Sequence, residues 1–300
     1  MEYKKEKFNE YNCMRLSNRS LSLWATLDFG PRVIALIPQG SSNLFAELPD
    51  AQIECPGSGM YSLHGGHRLW YAPEIPPRTY LPDDDRLDSA EVENGFKVIQ
   101  QPESGTCLRK SITLRLPDEQ PYVVIDHEIL NLGIEPQQLA PWAITMVRPG
   151  GTAVLPQQTA FDEAYGCQPN RTINLWPYTP LSSPYLTLSD RYIYVHANMK
   201  EDKLKIGAPN PRGWIGYAIE NTFFVKLAGY DPQAFYYDRQ SSSQFYCDPG
   251  ALEMETLGAR VTIEAGESVK HREVWKVFQG ITFKPNDDVV DEIVKELRLE

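Results

Sequence analysis

The stretch "KSITLRL", residues 110–116, has the two-residue period of a half-buried β-strand. Its even positions carry a lysine, an isoleucine and two leucines, whereas its odd positions carry serine, threonine and arginine, so that the two sets occupy opposite faces. Runs rich in β-branched and aromatic residues recur along the chain, and we predict each to be a strand. They are "PYVVIDHEIL" (121–130), "RYIYVHA" (191–197), "NTFFVKLAG" (221–229), "QFYCD" (244–248) and "HREVWKVF" (271–278).

Only one segment predicts a helix. After Pro285, the apolar residues recur with a period of 3.6, and Asn286 is suited to cap the helix at its N-terminus. Strands that do not alternate with helices indicate an antiparallel architecture. No linker or repeat divides the sequence. We therefore predict an all-β fold, in which residues 1–300 form one large antiparallel β-sandwich domain with a short C-terminal helix.

Composition and charge restrict the class of partner. The 300 residues are 42% hydrophobic and 23% charged, as in a globular protein, and the 40 acidic residues exceed the 29 basic ones to give a net charge of −11. We expect no nucleic acid and no membrane surface as partner, because no basic face is present. The N-terminus has no apolar signal region and no segment is long enough to span a bilayer, so we expect a cytoplasmic protein.

The cysteines support the same expectation. They are odd in number and widely spaced, without a CxxC pair, which predicts reduced thiols rather than disulfides or a zinc knuckle. They are Cys13, Cys55, Cys107, Cys167 and Cys247.

The segment "GALEMETLG" (250–258) contains a candidate general base. In a strand, Glu253 and Glu255 project from one face about 7 Å apart, while Leu252 and Met254 project from the other. If that face is partly dry, desolvation and mutual repulsion raise the pKa of at least one carboxyl group towards neutrality. The pattern fits the solvated outer face of an edge strand equally well.

Two further segments carry possible ligand-binding groups. In "RYIYVHA", Tyr192, Tyr194 and His196 share a face that either lines a sugar-binding groove or covers the sheet, and we do not expect His196 to be catalytic. The segment "KIGAPNPRGWIGY" (205–217) carries Lys205, Arg212 and Trp214. These residues either bind an anionic substrate group or belong to a turn with a packing tryptophan.

The segment "SLHGGHRLWYAPE" (62–74) is too polar for an ordinary core strand. We interpret its glycine pair as a sharp bend that exposes His64, His67 and Arg68 as donors beside Trp70. His64, His67 and Glu74 weakly resemble a metal-ligand set. Their spacing fits neither a strand nor a helix, so we expect no metal and no other cofactor.

The segment "SLHGG" followed by a tryptophan resembles the "LHGG" and tryptophan segment of the galactose mutarotase (aldose 1-epimerase) superfamily. The segments "GGHRLWYAPE", "KIGAPNPRGWIGY" and "LEMETLGARVTIEAGESVKHREVWKV" together give a closer resemblance to one family related to it. Within it, the chain is most similar to a mutarotase-like family of uncharacterised proteins, over residues from about 20 to 280. The resemblance implies a galactose mutarotase-like β-supersandwich.

The resemblance also implies roles for particular residues. His64 matches the sugar-contacting histidine of LHGG, and Glu255 best matches the family's general base, with Glu253 second. Trp142 stands where the family's catalytic histidine is expected. The arginine of the family's early motif is absent, although Arg68 supplies a charge in that region.

These observations predict a carbohydrate-active protein that interconverts sugar anomers. Such a reaction needs a base at the anomeric hydroxyl group and an acid at the ring oxygen. We expect Glu255 to be the base and His64 or His67 to be the acid. The expected substrate-binding residues are Arg68, Trp70, Glu74, Lys205, Trp214 and Glu253. The alternatives are a non-catalytic sugar-binding protein and a metal-assisted sugar isomerase or lyase that uses His64, His67 and Glu74.

Overall fold

The computed structural model describes residues 2–57, 59–118, 120–159, 166 and 168–300, which form mainly antiparallel β-strands. The first strands are β1 (Glu2–Phe8), β2 (Tyr11–Ser17), β3 (Leu21–Thr26), β4 (Arg32–Pro38), β5 (Glu47–Cys55), β6 (Gly59–Ala72), β7 (Asp88–Val92), β8 (Gly95–Ile99), β9 (Leu108–Arg115), β10 (Tyr122–Asn131), β11 (Gln137–Val147) and β12 (Thr152–Pro156). The later strands are β13 (Asn174–Leu175), β14 (Leu186–Leu188), β15 (Tyr192–His196), β16 (Leu204–Ala208), β17 (Trp214–Ile219), β18 (Thr222–Ala228), β19 (Ser243–Cys247), β20 (Leu252–Leu257), β21 (Val261–Ile263) and β22 (Ser268–Gln279). The helical segments are a 3-10 turn at Arg78–Tyr80, the single left-handed turn α1 (Tyr237–Gln240) and the helix α2 (Asp287–Leu297).

Two large sheets contain these strands. The first sheet has the order β1-β2-β3-β4-β6-β11-β20-β19-β16-β13, with β5 paired to β6 and β21 paired to β11. The second sheet has the order β14-β15-β12-β17-β18-β22-β10-β9-β8-β7. Every one of these pairings is antiparallel, which confirms the all-β antiparallel architecture expected from the period-two runs.

The main hydrophobic core lies between the two sheets. Leu252 and Met254 of β20 belong to it, as do Phe224 and Trp275 of the second sheet. The Trp275 ring packs edge-on against Phe45 and Phe224, at centroid distances of 5.5 and 5.8 Å. Removal of this apolar surface from water is the main stabilising term for the sandwich.

Strand β9 follows its predicted alternation with one instructive exception. Ile112 and Leu114 lie in the core, as expected. Lys110 shares their face and is also buried, but its ammonium group lies 2.8 Å from a carboxylate oxygen of Glu103. A charged residue is therefore tolerated on the core face because it has a buried partner.

Helix α2 confirms the prediction for the C-terminus. The Asn286 side chain accepts hydrogen bonds from the backbone N–H groups of Asp288 and Val289, which is the expected N-cap. The tyrosines of β15 bind this helix rather than a ligand. The hydroxyl of Tyr192 donates to Asp291, and that of Tyr194 donates to Asp287. The tyrosines of "RYIYVHA" therefore attach helix α2 to the sheet, and they do not line the sugar-binding groove that was one of the two interpretations.

In the described part of the chain, neither α1 nor α2 has the length and apolar character needed to cross a bilayer. The four cysteines that the structure describes are free, and three of them are buried. Cys167, the fifth, lies outside the described residues.

Candidate functional site

A cleft of about 560 Å³ opens on the face of the first sheet that points away from the second sheet. Strand register forms its floor, because Arg68 lies opposite Ile144, which in turn lies opposite Glu255. Residues two positions along each strand continue the same face. The floor includes Arg68, Trp70, Trp142, Lys205, Tyr246 and Glu253. Strands β5 and β6 and the segment after β13 supply the walls.

Aromatic rings dominate the cleft. The Trp70 ring packs edge-on against Trp142 and Tyr80, at centroid distances of 5.5 and 5.0 Å. Trp176 and Tyr178 line the opposite side. Flat rings of this kind stack on the C–H faces of sugars, while neighbouring polar groups bind the hydroxyls.

A buried ion pair, Arg68 with Glu253, crosses the floor. The Arg68 guanidinium donates to Glu253 at 2.8 Å, and their side chains are 3% and 11% exposed. The same guanidinium lies over the Trp70 ring, 4.3 Å from its centroid. This stacking and the ion pair together fix the positions of a cation, a carboxylate and an aromatic ring at the cleft surface.

A second ion pair lies deeper. Oε2 of Glu255 accepts hydrogen bonds from Lys205 Nζ at 2.9 Å and from Trp142 Nε1 at 2.7 Å. Burial raises the pKa of Glu255 to about 7, against the lowering effect of Lys205, and the nearby Glu253 carboxylate raises it further. Glu255 is fully buried beneath Lys205 and Trp142, so a group that titrates near neutral pH lies directly behind the cleft surface.

Arg32 of β4 pairs with Arg68 in the strand register and supports the cleft from the side. Its fully buried guanidinium donates to the Tyr61 hydroxyl at 3.0 Å and to Asp83 at 3.1 Å, and it also binds the backbone carbonyl of Leu63. The Tyr61 hydroxyl in turn accepts the indole N–H of Trp70 at 2.9 Å. This chain of hydrogen bonds holds the Trp70 ring in place.

The glycine pair of "SLHGGHRLWYAPE" produces a bend inside one long strand. Gly65 and Gly66 have φ values of +82° and +69°. A Cβ atom on Gly66 would lie 2.3 Å from the Val33 carbonyl oxygen, so only glycine fits there. Residues before the bend pair with β5, and residues after it pair with β4 and β11. The expected bend is present, but the segment is a strand rather than an exposed loop.

The structure brings together most of the residues selected from sequence. Arg68, Trp70, Glu74, Lys205 and Glu253 line the cleft. Glu255 lies immediately beneath it, as described above. The remaining three selected residues, His64, His67 and Trp214, lie elsewhere.

His67 points into the space between the sheets. It precedes Arg68 in a regular part of β6, and adjacent strand residues face opposite sides, so both cannot reach the cleft. Its Nε2 atom lies 2.7 Å from Nε2 of His127, and its Nδ1 atom lies 2.9 Å from the Thr145 hydroxyl. Burial lowers the pKa of His67 well below its ordinary value, and the neighbouring His127 lowers it further.

The same buried region contains three potential metal ligands, His67, His127 and Glu273, whose donor atoms lie within 4.8 Å of one another. The Lys226 ammonium lies 2.9 Å from the Glu273 carboxylate, and the Trp275 indole N–H donates to that carboxylate at 2.7 Å. A lysine therefore already neutralises the carboxylate, and the imidazoles bind each other. These contacts form a hydrogen-bonded network between the sheets.

His64 lies at the bend with a left-handed φ of +54°. Its ring stacks on Phe29 at a centroid distance of 3.8 Å, and its Nε2 atom lies 3.7 Å from a carboxylate oxygen of Asp84. Because the neighbouring Leu63 is the residue that lines the cleft, His64 points to the other side of the hairpin. The set His64, His67 and Glu74 is therefore not brought together.

Trp214 belongs to the second sheet. It is buried on β17, and its indole N–H donates to Glu300 at 3.1 Å. Arg212 binds Glu300 as well. The segment "KIGAPNPRGWIGY" thus divides between two sheets, so that only Lys205 reaches the cleft. His196 lies apart from the cleft, between the hydroxyls of Thr152 and Thr187.

Sequence reasoning missed several cleft residues. Tyr80, Trp176 and Tyr178 lie outside long strands and had no periodic signal. Tyr246 lies in the predicted strand "QFYCD", but the alternation alone does not say which face points to the cleft. Trp142 was considered only as the residue at the expected position of a histidine, whereas in the structure its indole N–H donates a hydrogen bond to Glu255.

Comparison with known proteins gives a likeness of fold. No protein-family model and no curated protein matches this sequence. A candidate aldose 1-epimerase from Klebsiella pneumoniae superposes with a TM-score of 0.65 and 7% identity, over 99% of this chain and 86% of that one. A candidate aldose 1-epimerase from Escherichia coli K12 gives 0.55 and 12%, over 88% and 98%.

A TPR-domain containing protein from Parabacteroides distasonis gives a TM-score of 0.63 with 12% identity. The match covers 91% of this chain and 48% of that protein, so this chain spans about half of its length. A galactose mutarotase-like protein from Lactobacillus casei gives 0.53 with 9% identity, over 89% and 100% of the two chains. The chain therefore has the galactose mutarotase-like fold.

Proposed function

We propose that the cleft binds a reducing sugar and accelerates the interconversion of its anomers. The observation that carries this proposal is the convergence of Trp70, Trp142 and Trp176 on one cleft with two carboxylate–cation pairs, one on its floor and one that extends beneath it. The rings suit the apolar faces of a sugar, and the charged groups suit its hydroxyls. The fold likeness to proteins described as aldose 1-epimerases agrees with this substrate class.

The cleft supplies a base and an acid of the required kind. Glu253 reaches the cleft surface and takes the proton from the anomeric hydroxyl group, while the bond between the anomeric carbon and the ring oxygen breaks. Lys205 donates a proton to the ring oxygen, which leaves an open-chain aldehyde that recloses on either face. Glu255, hydrogen-bonded to Lys205, exchanges protons with it between turnovers. Arg68, Trp70 and Glu74 bind the sugar.

Neither His64 nor His67 takes part in this proposal, because both point away from the cleft. None of the five histidines of the chain, all of which lie among the described residues, lines it. Together with Trp142 at the expected position of a catalytic histidine, this favours a second candidate function, a sugar-binding protein without catalysis.

Two coarser proposals accompany the site. We propose that residues 1–300 form one domain, because strands from both ends of the chain contribute to the two sheets. We also propose a cytoplasmic location, which the four free cysteines support.

Magnetisation-exchange NMR on a panel of free sugars tests the proposal. We expect wild-type protein to accelerate exchange between anomers, and Glu253→Gln to slow it about 10²–10⁴-fold while sugar still binds. Glu264→Gln, which changes an exposed carboxylate directly after β21, is the matched control and keeps the wild-type rate. Binding without acceleration in the wild type selects the sugar-binding protein, and no binding of any sugar rejects both functions.

A further inference from the structure

Two buried oxygen atoms on neighbouring strands lack a hydrogen-bond donor among the described residues. They are Oε1 of Glu255 and Oε1 of Gln244. The two residues are direct cross-strand partners in the register of β19 and β20, so their side chains project from the same face. Cβ atoms of such partners lie about 5 Å apart, which is close enough for the side chains of a glutamate and a glutamine to contact each other. Both residues are fully buried.

The orientation of the Gln244 carboxamide is fixed. Its Nε2 atom donates to the Asp238 carboxylate at 2.7 Å and to the Ser241 carbonyl oxygen at 3.3 Å. Both partners are acceptors, so a flipped amide would place oxygen against oxygen. The Gln244 carbonyl oxygen must therefore face away from Asp238 and find a donor on its other side.

Only one of the two oxygen atoms of the Glu255 carboxyl group has hydrogen-bond donors among the described residues. Its Oε2 atom accepts from Trp142 and Lys205, whereas Oε1 has no donor among the residues that the structure describes. Two buried acceptors on paired side chains of the same sheet face are unfavourable unless one of them carries a proton. A proton on Oε1 of Glu255, donated to Oε1 of Gln244, satisfies both atoms at once.

A second, independent observation is that the turn which accepts the hydrogen bonds of the Gln244 amide has a strained backbone. Asp238, Arg239 and Gln240 have φ values of +53°, +57° and +70°, in the left-handed region that non-glycine residues rarely adopt. Side chains keep the turn in place: the Ser241 hydroxyl donates to the Asp238 carbonyl oxygen at 2.7 Å. Strain maintained in this way is concentrated at functional sites. Here it presents the acceptors that orient Gln244.

We propose that Gln244 is a positioning residue that keeps Glu255 protonated in the resting protein. A neutral Glu255 leaves the positive charge of Lys205 uncompensated, so the Lys205 ammonium is free to donate to an oxygen of the ligand. The kinetic consequence rests on the function proposed above, whereas the protonation state does not.

Several charged groups face Glu255 and act on the same proton. Lys205 of β16 favours the ionised form, and Glu253 of β20 favours the neutral form. Arg68 of β6 and Lys226 of β18 are also within electrostatic range of its carboxylate, as is Tyr178. Variants that keep all of these groups are therefore needed to isolate the contribution of Gln244.

The test is a carbon-13 NMR titration of the glutamate side-chain carboxyl groups between pH 4 and 9. The Glu255 signal is assigned by its absence from Glu255→Gln protein. We expect a wild-type midpoint near 7, and a midpoint lower by about one pH unit in Gln244→Met, because the protonated form loses one hydrogen bond. Gln100→Met is the matched control, since Gln100 is also buried with an unpaired Oε1, and it leaves the midpoint unchanged.

A second variant covers the case in which Gln244→Met does not fold. Gln244→Leu also removes the carboxamide and keeps every charged group, so we expect the midpoint to fall there as well. A wild-type midpoint in the ordinary carboxyl range, or an unchanged midpoint in both Gln244 variants, overturns the proposal. If the wild type accelerates anomer exchange, the pH dependence of the rate moves with the midpoint. If it does not, the proposed reaction fails and the titration still decides the role of Gln244.

Discussion

Glu255 makes the stability of this protein depend on pH in the direction opposite to that of an ordinary paired carboxylate. Burial raises its pKa to about 7 from the ordinary 4.5. Between these two pH values the native chain holds a proton that the unfolded chain has released. The stabilisation is therefore complete below pH 4.5 and is lost as the pH rises through 7. At about 1.4 kcal/mol for each pKa unit, the total loss is about 3 kcal/mol.

Glu255→Gln measures this contribution, because glutamine has nearly the same shape and does not titrate. The free energy of unfolding in urea is determined at pH 5, 6, 7 and 8 for both proteins. We expect the wild type to lose about 2.5 kcal/mol relative to the variant between pH 5 and 8, since part of the total is already lost at pH 5. Subtracting the variant removes the contribution of every group that titrates alike in both proteins.

Glu264→Gln, on the exposed surface, serves as the control and should change little with pH relative to the wild type. A constant difference between wild type and Glu255→Gln over this range would refute the reasoning. It would mean that Lys205 and Trp142 keep the carboxylate ionised in spite of its burial.

Two further predictions concern the bend and the buried histidines. Gly66→Ala should destabilise the protein by several kcal/mol more than Gly40→Ala in thermal or urea unfolding. Both positions have positive φ, but of the two only Gly66 would bring the new Cβ against a backbone oxygen. Equal losses of stability in the two variants would contradict this. Burial lowers the pKa of His271 to about 3 from 6.5. Between these pH values only the unfolded chain takes up the proton, so the contribution of His271 to the free energy of unfolding falls by about 2 kcal/mol as the pH drops from 6.5 to 5. His271→Gln should remove that part of the acid sensitivity in the same urea measurement, and an unchanged acid limb would exclude the assignment.

The two faces of "LEMETL" show what alternation alone can predict. Leu252 and Met254 were assigned to the core and the two glutamates to the opposite face, and the structure has this arrangement. A period of two separates the faces of a strand without reference to its neighbours. The exposure of the second face depends on what covers it. Lys205 and Trp142 come from other strands, and they make Glu255 a buried group rather than a surface carboxylate.

His67 shows the limit of that reasoning. A polar, glycine-containing segment was interpreted as an exposed bend, because a histidine on a core strand appeared unfavourable. The structure buries His67 between the sheets, where His127 and Thr145 satisfy both ring nitrogens. Those partners lie 60 and 78 residues away in the sequence. Sequence distance of this size hides a hydrogen-bonded pair from any local pattern.

The sequence by itself determined the all-β class, the antiparallel architecture and the C-terminal helix of this protein, because strand periodicity and the cap at Asn286 are local properties of the chain. It also determined which residues of β20 share a face. Only the tertiary structure decided which histidines reach the cleft, which aromatic rings form its walls and whether Glu255 is solvated. Those outcomes depend on strand order and register, which bring β6, β11, β20, β19 and β16 side by side. Desolvation and pairing of a charge are set by such neighbours, and they give a carboxyl group its proton affinity.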